Sequence, residues 1–109
     1  MRVIIRSREF DAFYNSLTPG VQSKIDYAIS VMTEITVLST KLVKRLVGTD
    51  FYELRISVGN EYRVVMFTID HENIIEARQI FLLNGFVKKS TKDYKKQIDI
   101  AVKIIKTLE

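Results

Sequence analysis

Two apolar stripes at helical spacing occupy the first third of the chain. Phe10, Phe13, Tyr14 and Leu17 recur at i, i+3, i+4 and i+7, behind a Ser7 that can cap a helix. Val21, Ile25, Ala28, Met32 and Ile35 follow behind Thr18-Pro19, a cap residue with proline at the first helical position. Together they predict a helical hairpin. Ahead of it, Arg2-Val3-Ile4-Ile5-Arg6 is short, β-branched and bracketed by arginines, the pattern of an edge strand.

From residue 51 the helical period gives way to strict alternation. Tyr52, Leu54, Ile56 and Val58 fall on one face, and Phe51, Glu53, Arg55 and Ser57 on the other. Gly59-Asn60 reads as a two-residue hairpin turn and residues 61–69 as the partner strand. In that register Ser57 faces Tyr62, Arg55 faces Val64 and Glu53 faces Met66. Glu53, Arg55, Ser57 and Tyr62 then share a face, while Arg63 falls on the other, opposite Ile56. Residues 70–73 predict a second turn and residues 74–87 a third strand. Its irregularity is expected at Asn84-Gly85, because a glycine inside a strand marks a bulge or a close backbone approach. Ser90, with Asp93 three residues on, is expected to cap a last helix carrying Tyr94, Ile98, Ala101, Ile105 and Leu108. Residues 36–46 read as a connector that presents Lys41, Lys44 and Arg45 to solvent and ends at Gly48-Thr49-Asp50. The order β-α-α-β-β-β-α predicts one α+β domain over residues 1–109: an N-terminal strand and helical hairpin, a three-stranded antiparallel meander and a C-terminal helix.

Composition narrows the chemistry. The 109 residues are 47% hydrophobic and 28% charged, ordinary for a globular domain. Cysteine is absent, which excludes disulfides, thiolate zinc sites and cysteine nucleophiles and fits a reducing cytoplasm. One histidine, His71, cannot by itself build a triad or a histidine metal site, so neither metal nor cofactor is expected. Apolar runs reach only four residues, at 64–67 and 80–83, where a membrane span needs about 20. Arg2, Arg6 and Arg8 flank no apolar stretch long enough for a secretory leader, and a cytoplasmic protein with no membrane partner is expected.

The net charge of +4 is unevenly placed. Lys88, Lys89, Lys92, Lys95, Lys96, Lys103 and Lys106 outnumber Asp93, Asp99 and Glu109, so the last quarter holds the whole excess. Localised positive charge attracts polyanions, although a solvated helix face carries such charge too. Glu53 and Arg55, two residues apart, suit an ion pair as well as a site. Lys88 and Lys89, where the last strand leaves the sheet, can contact phosphate.

Three blocks stand in order along residues 46–109. They are Leu46-Val47-Gly48-Thr49-Asp50-Phe51-Tyr52-Glu53-Leu54-Arg55, then Glu61-Tyr62-Arg63-Val64-Val65, then Leu83-Asn84-Gly85-Phe86-Val87-Lys88-Lys89-Ser90. Their order and spacing resemble the phage-derived, HigB-like branch of the RelE/ParE toxin superfamily. The resemblance implies the toxin of a bacterial type II toxin–antitoxin pair, built on a small antiparallel sheet with an N-terminal helical hairpin. RelE-like and HigB-like members cleave mRNA, typically on the ribosome, while ParE-like members inhibit DNA gyrase. Both readings stay open, as does an inactive remnant or interaction module.

In the nuclease reading, the RNA 2′-hydroxyl attacks the adjacent phosphate and the protein holds the in-line geometry and stabilises the added charge. The resemblance places Arg55 and Arg63 on the scissile phosphate, with Lys88 and Lys89 on it or its neighbours. It lets Tyr62 stack on a base, against the alternative of a core aromatic, and puts Lys41, Lys44, Arg45 and Lys92 on the RNA backbone. No general base stands out, and Tyr94, the only late tyrosine, is expected to pack the last helix. The implied partners are mRNA, the ribosome and a cognate antitoxin, often with a helix-turn-helix domain, that covers the basic cleft.

Overall fold

Ser7 caps the first helix as its sequence position suggests: its hydroxyl accepts the Phe10 N–H and donates to the Leu83 carbonyl. In the computed structural model, which describes residues 1–108, the chain runs β1 (Val3–Arg6), α1 (Arg8–Asn15), α2 (Pro19–Glu34), β2 (Val43–Arg45), β3 (Phe51–Val58), β4 (Asn60–Thr68), β5 (Gln79–Lys88) and α3 (Asp93–Thr107). The strands form one five-stranded sheet in the order β1-β5-β4-β3-β2. The expected meander is β3-β4-β5, and β1 closes one edge by pairing parallel to β5.

The sheet has two unlike faces. Phe10, Val21, Ile25, Ala28 and Met32 of the hairpin pack on Tyr52, Leu54, Ile56, Val64 and Met66, the larger core. The other face is covered by α3 alone, through Ala101 and Ile104 on Val65, Leu83 and Phe86. Arg2 locks the hairpin in place: its buried guanidinium donates to the Met32 and Ile74 carbonyls, capping the end of α2 and pinning the loop before β5. No helix among the described residues is long and apolar enough to cross a membrane.

Four local expectations change. Residues 36–46 are not wholly a connector, because Val43–Arg45 pairs antiparallel with β3 as the outer edge strand. The β3–β4 hairpin reverses at Gly59 alone, with Val58 paired to Asn60 and Gly59 at φ +72°, a conformation open to glycine. Every β4 residue therefore shifts by one, and since side chains alternate, all of them change face relative to the two-residue turn. Residues 74–78 are not strand: Asp70 accepts the N–H groups of Arg78 and Gln79, and the Tyr52 hydroxyl takes the Ile74 N–H, which folds the segment into an anchored loop. At the last helix Lys92 occupies the cap position, and the Asp93 carboxylate reaches back to the N–H groups of Lys89 and Ser90 instead of Ser90 capping the helix. The irregularity near Asn84-Gly85 is present as a bulge, where β4 steps from Val64 to Met66 while β5 steps from Gly85 to Leu82.

Candidate functional site

The one-residue turn sets Arg55 directly opposite Arg63 on the α3 face. Like charges placed opposite one another on a sheet repel, so the pair needs an anion between them. Glu53 supplies it. Its Oε1 lies 3.0 Å from Arg63 Nε and 3.5 Å from Arg55 Nε, and the residue is 4% exposed. From α3, the Tyr94 hydroxyl donates to the same oxygen at 2.9 Å and accepts from Arg63 Nε at 3.2 Å. Tyr94 is held there by the Phe86 ring, which meets it edge-on at 5.6 Å, and by the Lys88 ammonium, 5.5 Å from its ring centroid.

The arginines are not equivalent. Arg63 is 2% exposed, with Nη1 donating to the Tyr62 carbonyl and Nη2 to Glu61 Oε1. Burial works against its charge, but hydrogen bonds with Tyr94 and Glu61 and the field of Glu53 hold its pKa above the ordinary arginine value. Arg55 keeps 31% of its side chain exposed. Burial and the hydrogen bond to Glu53 raise the Tyr94 pKa, so the phenol stays protonated at neutral pH. Glu61, at the rim, is held below the usual carboxylate range by the Ser57 hydroxyl and then by Arg63.

Above this layer opens a cleft of about 270 Å³, lined by Lys44, Arg45, Arg55 and Lys88 together with Glu53 and Tyr94. Lys44 stands opposite Glu53 across β2–β3, so the unforeseen edge strand is what brings it here. Arg45 only borders the cleft: paired with Tyr52, it turns its guanidinium to the hairpin face, 5.7 Å from the Tyr52 ring centroid and donating to the Thr49 carbonyl. The geometry suits a phosphate: permanent, planar guanidinium charge faces solvent over a carboxylate and a proton-bearing hydroxyl.

The sequence model of a family described as "Phage derived protein Gp49-like" matches residues 12–106. The chain belongs to that family. No curated protein matches it in sequence. Among solved structures, the Gp49-like chain resembles a double arginine-to-alanine mutant of the E. coli toxin RelE in the free state, with 18% identity and a TM-score of 0.67. That match covers 95% of this chain and 97% of the other. It also resembles a chain of the intact E. coli RelBE toxin–antitoxin complex, with 15% identity and a TM-score of 0.62, over 83% of this chain and 100% of that one. The Gp49-like chain therefore has the RelE fold, as the three sequence blocks implied.

Several expected site residues of the Gp49-like chain stand elsewhere. Arg63 belongs to the cluster but lies beneath the cleft, its guanidinium enclosed by Glu53, Glu61 and Tyr94. Tyr62, moved by the register shift, faces the hairpin and is 8% exposed in the larger core, so its ring has no free face for a base. Lys41, Lys89 and Lys92 are exposed outside the cleft; Lys92 joins Lys95, Lys96 and Lys103 along the outer side of α3. Sequence reasoning passed over Tyr94 as packing. The available signal was a phenol in the first turn of a helix lying on a charged sheet face, where a half-buried hydroxyl needs a polar partner.

Proposed function

We propose that this chain is the toxin of a bacterial type II toxin–antitoxin pair and that it cuts messenger RNA on the ribosome without a metal. The observation that carries this reading is the partly exposed Arg55, held over Glu53 in a cleft whose other cations are Lys44 and Lys88. The likeness to RelE, alone and in a toxin–antitoxin complex, supports it through the shared fold.

In this mechanism the RNA 2′-hydroxyl attacks the neighbouring phosphorus, the 5′-oxygen leaves and a 2′,3′-cyclic phosphate remains. Arg55 and Lys88 face the non-bridging oxygens, where charge accumulates, and Lys44 holds the adjoining backbone. Lys41, Lys89 and Lys92, outside the cleft, meet phosphates farther along. Tyr94 is the group in the cleft that can give a proton to the departing 5′-oxygen while water takes the 2′-hydroxyl proton, and the Glu53 carboxylate, 2.9 Å from the phenol, orients it. The partner expected of such a toxin is a cognate antitoxin that screens the cleft cations.

The test is 5′-end mapping of total bacterial RNA minutes after brief induction. New ends inside translated messages, in phase with codons and absent for Arg55→Ala, are expected. Ends outside reading frames as well would remove the ribosome from the mechanism. Growth arrest with intact RNA would move the reading to gyrase inhibition, and harmless expression would leave only the fold.

A further inference from the structure

Three groups converge on one oxygen of Glu53: Tyr94 at 2.9 Å, Arg63 at 3.0 Å and Arg55 at 3.5 Å. Two guanidinium groups thus share one carboxylate, and they share it unequally. Arg63 is enclosed, with Nη1 also donating to Tyr62 and Nη2 to Glu61. Among the described residues, the only ion pair of Arg55 is the longer contact with Glu53, at a side chain that still faces solvent.

We propose that Arg63 is the permanent counterion of Glu53 rather than a phosphate ligand, and that this arrangement leaves Arg55 free to exchange the carboxylate for an incoming phosphate. The inference rests on the cleft being a phosphate site. A buried carboxylate stripped of its cation is strongly unfavourable. With Arg63 in place, Glu53 stays neutralised after Arg55 moves away. Before the exchange Arg55 and Arg63 share the buried Glu53, while Arg63 also reaches the solvated rim carboxylate of Glu61; afterwards Arg63 still neutralises Glu53 and Arg55 carries the phosphate. Without Arg63, Arg55 would be the sole counterion of Glu53, and phosphate would have to compete with a fixed, buried carboxylate for it. Arg63 and Glu53 are therefore positioning residues, and Arg55 is the group that touches the ligand.

The experiment measures binding of a short fluorescein-labelled single-stranded DNA by anisotropy across a salt series. The probe lacks the 2′-hydroxyl and cannot be cut by the proposed route. Arg55→Ala is expected to weaken binding about tenfold, the effect of one charge-assisted contact, and to reduce the salt slope by about one. Arg63→Met is expected to weaken it by a similar factor, although it removes no exposed charge. The decisive variant is Arg63→Met combined with Glu53→Gln, in which cation and carboxylate go together. Binding is expected to return to within about threefold of wild type, because Arg55 no longer has a competitor. No recovery in a double variant that melts like the wild type would overturn the inference, since an Arg63 that holds phosphate itself cannot be replaced by removing Glu53.

Glu53→Gln alone serves if Arg63→Met does not fold. It is expected to bind the probe at least as tightly as wild type, and weaker binding would overturn the counterion role. An Arg55→Ala protein with unchanged affinity would overturn both the inference and the site. Tight probe binding with the expected rescue, in a protein that leaves cellular RNA intact, would remove the nuclease and keep the counterion.

Discussion

The hydroxyl of Tyr94 is fixed from two sides, donating to Glu53 and accepting from Arg63, while its ring is fixed separately by Phe86 and Lys88. Tyr94→Phe therefore separates polar from apolar contributions at one position. The ring contacts remain, and Glu53 and Arg63 each lose one hydrogen bond in a half-buried setting. The expected stability loss is about 1–2 kcal/mol, read from urea unfolding. If the phenol carries the proton in cleavage, single-turnover cutting falls about a hundredfold or more while RNA affinity stays level. A fall in affinity with an unchanged cutting rate would make Tyr94 a brace for the cations and nothing more.

At the scale of elements, the β5 bulge decides how both helices sit. Leu83 packs toward α3 and the Asn84 amide donates to Gln97 there, while Gly85 turns to the other face under Phe13 of α1. A Cβ at Gly85 would stand 2.2 Å from Phe13 Cδ2 and 2.6 Å from its Cγ, so the ring as a whole would have to move. Gly85→Ala is expected to destabilise by about 1–3 kcal/mol, as overpacking does, with the urea m-value unchanged. In a Phe13→Leu background the same substitution should lose less, and equal losses in both backgrounds would remove Phe13 as the cause.

What was legible in the sequence follows from the range over which each feature is determined. The helical stripes and the alternation of β3 are local, and Phe10, Val21, Ile25, Ala28, Met32 and Leu54 are buried as the pattern requires. The glycine that marks the bulge is likewise a local signal. The three residues of β2 carry no periodicity, with one apolar side chain, Val43, and they become a strand only by pairing with β3. The parallel pairing of β1 with β5 joins the chain end to a segment some 75 residues away and leaves no local trace. The site was half legible for the same reason. Residue types were evident in the three blocks, but a turn at Gly59 alone placed Arg63 beside Arg55 and Tyr62 in the core.

At the scale of the whole molecule, two carboxylates bracket β5, the strand that touches both β1 and β4 and carries α1 and α3 on its two faces. Asp70 accepts the N–H groups of Arg78 and Gln79 at its start, and Asp93 those of Lys89 and Ser90 at its end. These backbone bonds hold both acids below their ordinary value of 3.8. A carboxylate whose pKa is lower folded than unfolded adds stability that is complete above the unfolded value. That stability is lost as pH falls through the folded one, so the melting temperature should be level near neutrality and fall below about pH 4. A second cause acts in the same direction, because a chain already at +4 gains positive charge as its acids protonate. The two causes separate by salt, which screens long-range repulsion but leaves short carboxylate–amide bonds nearly intact. The combined variant Asp70→Asn and Asp93→Asn should melt lower at neutral pH and show a shallower acid fall at high salt. An acid fall as steep as that of the wild type at high salt would mean that the ends of β5 are held by packing, and that the two carboxylates only decorate them.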